Sequence, residues 1–186
     1  MNDQKIIALF WERNESAISA TAEKYGNYCH TIAYNILYSH FDAEECVNDT
    51  YLGAWNSIPP QKPNNLTAYL GKITRNLALN RYKVRSAAKR GGGQVEIALS
   101  ELENCVPDST RVEQVAEEAL VVSVLNRFLY KQSKTKRNVF LCRYWYLYSI
   151  AKIADLFDMS ESKVKALLFR MRNDLKKTLQ KEEIYL

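Results

Sequence analysis

Residues 50–95 carry eight Lys/Arg and not one Asp, Glu or His. Such a stretch cannot assemble a metal site or an acid–base pair by itself, because both need carboxylates or imidazoles beside the reacting phosphate. It is suited to holding a polyanion. Within it, Lys72, Arg75, Asn76, Asn80, Tyr82 and Lys83 fall on one side of an expected long helix. Basic side chains track phosphates, while Tyr and Asn can stack on or hydrogen-bond unpaired bases. Just upstream, Gln61, Asn64 and Asn65 lie in a Pro/Asn stretch and offer amides to a splayed base.

A second basic set lies near the C-terminus. Lys163, Lys165, Arg170 and Lys177 flank Ser160, Ser162, Ala166, Phe169 and Asn173. On a helix this arrangement offers small and polar groups to base edges and cations to phosphates. Phe169 would pack on a neighbouring element or touch a thymine methyl. A third set has the opposite sign. Glu45, Asn48 and Asp49 surround an outward Leu52, which suits a basic protein partner. His30 and His40 stand ten apart without a ligand-like companion, so no metal, cofactor or enzymatic activity is expected. Cys29, Cys46, Cys105 and Cys142 show no C-x-x-C spacing, and buried, reduced thiols are expected.

The charge is arranged in blocks. The net +5 is built from −5 over residues 1–49, +8 over 50–95, −6 over 96–118 and +8 over 119–186. Two separate basic blocks suggest two polyanion contacts. With 186 residues, the chain suits one ordinary domain or two small ones. At 47% hydrophobic and 25% charged it can bury a core, and its 6 Gly and 4 Pro argue against a turn-rich β protein. No apolar run is long enough to span a bilayer, so no membrane insertion is expected. Residues 1–10 contain Asp3 and Lys5 and no small-residue cleavage pattern, so a secretory signal is not expected either. A cytoplasmic location follows from these expectations.

The elements that must position these residues read almost wholly as helix. Ile6, Ile7, Phe10 and Trp11 form a short apolar stripe, and Ile18, Tyr25, Cys29, Ile32 and Ile36 extend a second helix from Ser16 to Tyr38. Asp42, with Glu45 three places on, reads as a capping box opening a helix to Trp55. Residues 57–65 hold three prolines and cannot be helical. The long helix that follows has Leu66, Leu70, Ile73, Leu77 and Val84 on its core face and ends at Gly91-Gly92-Gly93. Residues 91–114 have the composition of a flexible acidic linker. Helical periodicity resumes at Leu120, Val124, Leu125 and Phe128, with another helix over 133–145. From Tyr148 to Arg172 the pattern fits a helix-turn-helix. Ala154 is the small crossing residue, Asp158 sits at the turn where Gly is usual, Ser160 is the cap, and Val164, Leu168, Met171 and Leu175 face the core. The expected fold is all-α. It has a helical domain over 1–90, a tether over 91–114 and a helix-turn-helix domain over 115–186.

The order of these blocks resembles a bacterial RNA polymerase sigma factor of the sigma-70 family. The residues that carry the likeness are the acidic-faced helix Asp42–Trp55, the segment Ala68–Arg81, a linker and the terminal helix-turn-helix. The likeness is to the extracytoplasmic-function subgroup, whose members hold only regions two and four. The resemblance implies that Glu45, Asn48, Asp49 and Leu52 dock on core RNA polymerase. It implies that Gln61, Asn64, Asn65, Lys72, Arg75, Asn76, Asn80, Tyr82 and Lys83 melt and hold the promoter's minus-ten element. The C-terminal residues, from Ser160 to Lys177, would read the minus-thirty-five element as duplex, and the acidic linker would thread the polymerase toward its RNA exit path. Many related factors also have an anti-sigma factor as a partner. Asp158, Leu167 and Phe169 depart from common family choices, which leaves the minus-thirty-five sequence open. The competing readings are a free-standing helix-turn-helix regulator, a DNA-processing enzyme and a protein-only adaptor. The regulator leaves the Asp42–Trp55 face and the Pro/Asn loop unexplained.

Overall fold

The computed structural model describes residues 1–86, 93–103 and 114–181. Among them there are nine helices and no strand. The chain divides into two compact units, Met1–Gly91 and Gly92–Leu186.

The first unit holds α1 (Asp3–Trp11), α2 (Ser16–Leu37), α3 (His40–Ser57) and α4 (Leu66–Ser86). Helices α2, α3 and α4 pack on one another, and α1 lies against α2. The apolar stripe of α2 is buried as its spacing predicts: Tyr25, Cys29, Ile32 and Ile36 all face inward. A fully buried Ile contributes about 1.5–3 kcal/mol relative to an exposed one. Tyr38 ends α2 with φ 51°, and its N–H donates to the Tyr34 carbonyl.

Two details of this unit differ from the periodicity. Helix α3 begins before Asp42: Ser39 is its cap, with Oγ accepting from the Asp42 N–H, and Asp42 sits in the first turn. Ser39 has the extended backbone a cap requires, and Asp42 is drawn to the Arg85 guanidinium instead. On α4 the inward row is Leu66, Leu70, Thr74 and Ala78, whereas Val84 is 77% exposed. The row lies on one stripe at steps of four and does not extend to Val84. Thr74 is tolerated inside because its Oγ1 donates to the Leu70 carbonyl and pairs with Thr50 Oγ1 of α3 at 3.0 Å. Gly71 sits under the Tyr28 ring, where a Cβ would collide, so α2 and α4 approach closely there.

The second unit holds α5 (Gln94–Glu103), α6 (Gln114–Lys131), α7 (Lys134–Tyr144), α8 (Ile150–Leu156) and α9 (Glu161–Lys181). The composition of 91–114 suggested a tether, but residues 94–103 are a helix. The Glu96 carboxylate accepts from the Gly93 N–H at its start, and Val95 and Ala98 are buried. Short-range capping and two apolar residues three apart suffice once a neighbouring surface exists to receive them. Residues 104–113 of the expected linker, with Cys105, lie outside the described residues. Ser133, Ser149 and Ser160 cap α7, α8 and α9, each accepting from the N–H three places on. Between α8 and α9, Asp158 takes φ 50°, a left-handed conformation that Asp adopts more readily than most residues. Val164, Leu168, Met171 and Leu175 of α9 join Val124, Phe128, Val139, Phe140 and Ile153 in one core. Leu167, outside the expected core row, is buried with them.

Candidate nucleic-acid interface

On α4 the predicted contacts separate by depth. Lys72, Asn76, Asn80 and Lys83 are exposed, whereas Arg75 and Tyr82 are half-buried. Burial of the Arg75 guanidinium lowers its pKa from the ordinary value. The Pro/Asn loop leading into α4 is held from below. The Tyr69 hydroxyl donates to Ser57 Oγ at 2.7 Å and to Gln61 Oε1 at 3.0 Å. Asn65 Oδ1 accepts from the Ala68 N–H at 2.9 Å, which makes Asn65 the cap of α4. Gln61 and Asn65 are exposed, and each commits its side-chain oxygen to one of these bonds. Asn64, between them, is exposed.

The acidic face of α3 presents Glu45, Asn48 and Leu52 to solvent, with Leu52 57% exposed and Asp49 half-buried. The sequence reading missed what answers this charge. Arg81 of α4 reaches Glu45 Oε2 at 2.7 Å and also bonds Asp49, while Arg85 bonds Asp42. These hydrogen bonds and ion pairs raise the Arg81 pKa. Antiparallel neighbours bring i, i+4 rows of opposite charge together, and the eight-residue spacing of Arg81 and Arg85 from Ile73 and Leu77 marks the row; only the α3–α4 pairing shows that it faces Glu45 and Asp49. Beyond Leu52, the partly buried Trp55 and Ile18 extend an apolar surface. Arg13 closes its edge by donating to the Trp55 carbonyl at 2.6 Å with its guanidinium 5.4 Å from the indole.

On α9, Ser160, Ser162, Lys163, Lys165, Ala166, Phe169, Arg170, Asn173 and Lys177 are all exposed. They lie across the helix from the core row. Phe169 is 58% exposed and borders a cleft with Ile97 of α5. Two of the basic side chains are partly engaged on the helix itself: Lys165 pairs with Glu161 at 3.5 Å, and Arg170 Nε donates to the Ala166 carbonyl. On α8, Lys152 stands 4.2 Å over the Tyr148 ring, which adds a cation the sequence reading did not include.

Among the described residues, no group of three or more His, Cys, Asp or Glu could hold a metal ion. His30 and His40 do meet, with ring centroids 5.5 Å apart, in a stack with Tyr34. Cys29, Cys46 and Cys142 are buried and unpaired with one another, and burial pushes each thiol up, Cys46 to about 11. They are packing residues rather than nucleophiles. No helix is long and apolar enough to cross a membrane among the described residues.

Residues 21–88 match the family model described as Sigma-70 region 2. The matched stretch spans most of α2, all of α3 and all of α4. The match covers 68 of the 186 residues, all within the first unit. No curated protein matches the chain.

Proposed function

We propose that the chain is a sigma factor of the extracytoplasmic-function type. It binds core RNA polymerase through α3, captures the melted minus-ten element with the loop 57–65 and α4, and reads the minus-thirty-five duplex with α8 and α9 acting as a helix-turn-helix. The observation that carries this reading is the region-two match over the same three helices that bear an acidic, Leu-centred face and a basic, amide-rich edge. The exposed run from Ser160 to Lys177 supports the second half of the proposal. The protein works by binding, not by chemistry, and acts in the cytoplasm where polymerase and promoters meet. An anti-sigma factor would act by covering one of these faces.

Binding accounts for melting in a simple way. Duplex contacts by the last helix anchor the complex. Unpaired bases then gain stacking and hydrogen bonds on the first unit, which offset an unpairing cost of a few kcal/mol. Run-off transcription with purified core polymerase on genomic fragments tests the whole reading. New, discrete start sites sharing two upstream elements are expected. Tight duplex binding without new starts would favour a free-standing regulator.

A further inference from the structure

Helix α5 belongs to the acidic segment, yet it is docked on the helices that carry the proposed duplex contacts. Val95 and Ala98 are each 1% exposed, and Leu102 packs against the core of α6–α9. The polar hold is concentrated at one residue. The Glu101 carboxylate accepts from Arg143 Nη2 at 3.2 Å, from Arg143 Nε and Arg172 Nη1 at 3.3 Å, and from the Tyr144 hydroxyl at 3.1 Å. Burial raises the Tyr144 hydroxyl to about 12, so it stays a donor. The same Arg172 nitrogen donates to Tyr144 at 2.6 Å. At its other end α5 stands off: Ile97 is 53% exposed, and a cleft of about 570 Å³ separates Gln94 and Ile97 from Lys165 and Phe169. The helix carries Glu96, Glu101 and Glu103 and no Lys or Arg.

We propose that α5 is an intramolecular latch that competes with duplex DNA for the C-terminal unit. The inference rests on α9 being the duplex-contacting helix. The Glu101 carboxylate lies in the cleft that Lys165 and Phe169 border, and it engages Arg172 of α9. A duplex carries a negative charge about every 1.7 Å, so it is repelled there while α5 is docked. Undocking removes the Glu101 carboxylate and frees the Arg172 guanidinium beside Lys165. The hold is a few charge-assisted hydrogen bonds over a small apolar seat, which is strong enough to populate the docked state and weak enough to reverse.

The test uses the full chain and a fluorescein-labelled promoter duplex, with hydrogen exchange over 94–103 as a direct readout of undocking. Glu101→Gln keeps the shape and removes the charge. Val95→Gln is neutral and forces an amide into the apolar seat, which guards against misfolding of the first variant. Glu103→Gln, on an exposed residue of the same helix, controls for net charge. Faster exchange and about tenfold tighter duplex binding are expected for the first two, against less than about twofold for the control. Faster exchange with unchanged affinity would overturn the latch and leave α5 a structural brace. Unchanged exchange in both variants would also overturn it. If neither the parent chain nor any variant bound duplex, the assignment of α9 itself would fall, and the latch with it.

Discussion

Helices α4 and α9 are each 21 residues long and each carries a set of residues assigned to DNA, but they are built in opposite ways. Helix α4 packs against both α2 and α3. Its Arg75 and Tyr82 are half-buried and its Arg81 is drawn to the acidic face of α3. Helix α9 packs on α6, α7 and α8 with one stripe, and all its proposed contacts are exposed. The difference suits two tasks. A duplex groove is a large, regular target that an exposed helix face can enter. An unpaired base is small and flexible, and groups fixed by surrounding packing lose less entropy in holding it.

The strongest way to break this comparison is through the cores. Leu70→Ala removes a fully buried side chain from the crowded helix and should cost about 2–5 kcal/mol. Denaturant unfolding followed by hydrogen exchange should show the loss in residues 1–86 and not in α6–α9; a loss shared by both would mean that the two units unfold as one. Next in size, Lys163→Glu with Arg170→Glu should weaken duplex binding by about a hundredfold or more and flatten its salt dependence. Retained footprinting over the upstream element would show that another face of α9 meets DNA.

Arg75→Ala with Tyr82→Ala sharpens the α4 side. Promoter opening, read by permanganate reactivity of unpaired thymines, should fall about tenfold more than recruitment of polymerase to the promoter. Equal loss in both would mean that these half-buried residues only support the fold. The smallest effect concerns α1. Asp3 accepts from Lys24 Nζ at 2.6 Å and from the Tyr25 hydroxyl at 2.5 Å, and these bonds hold its carboxyl below the ordinary 3.8. A carboxyl depressed in the folded state contributes stability above its unfolded value and loses it as pH falls through the folded one. Asp3→Asn should therefore lower the melting temperature slightly at neutral pH, and the deficit should shrink as pH falls through the folded-state value, once the carboxyl is protonated in both states. An equal deficit above and below that value would point to lost packing instead.

Much of this architecture could be read along the chain, because helices announce themselves locally. The stripe of α2, the three Ser caps of the second unit and the Asp158 turn each depend on residues a few places apart. The α9 face was legible for the same reason: a single amphipathic helix has one inside, and everything opposite it is outside. The core row of α4 was less legible. Val84 continues the apolar pattern yet is exposed, and Thr74 reads as polar until Thr50 is found beside it. Ser39 and Asp42 compete for one cap, and the distant Arg85 decides between them.

By itself, then, the sequence determined where the helices other than α5 run, which side of α9 is presented, and that two basic blocks are divided by acidic ones, since spacing and charge are local properties. The tertiary structure decided the pairing of Arg81 with Glu45 and Asp49, the depth of Arg75 and Tyr82, and the docking of α5 through Glu101 onto Arg143 and Arg172. Glu101 and Arg172 are separated by 71 positions, and no local propensity records which distant cation a carboxylate meets. That meeting exists only because α7 and α9 share a core that places both arginines on one side of it.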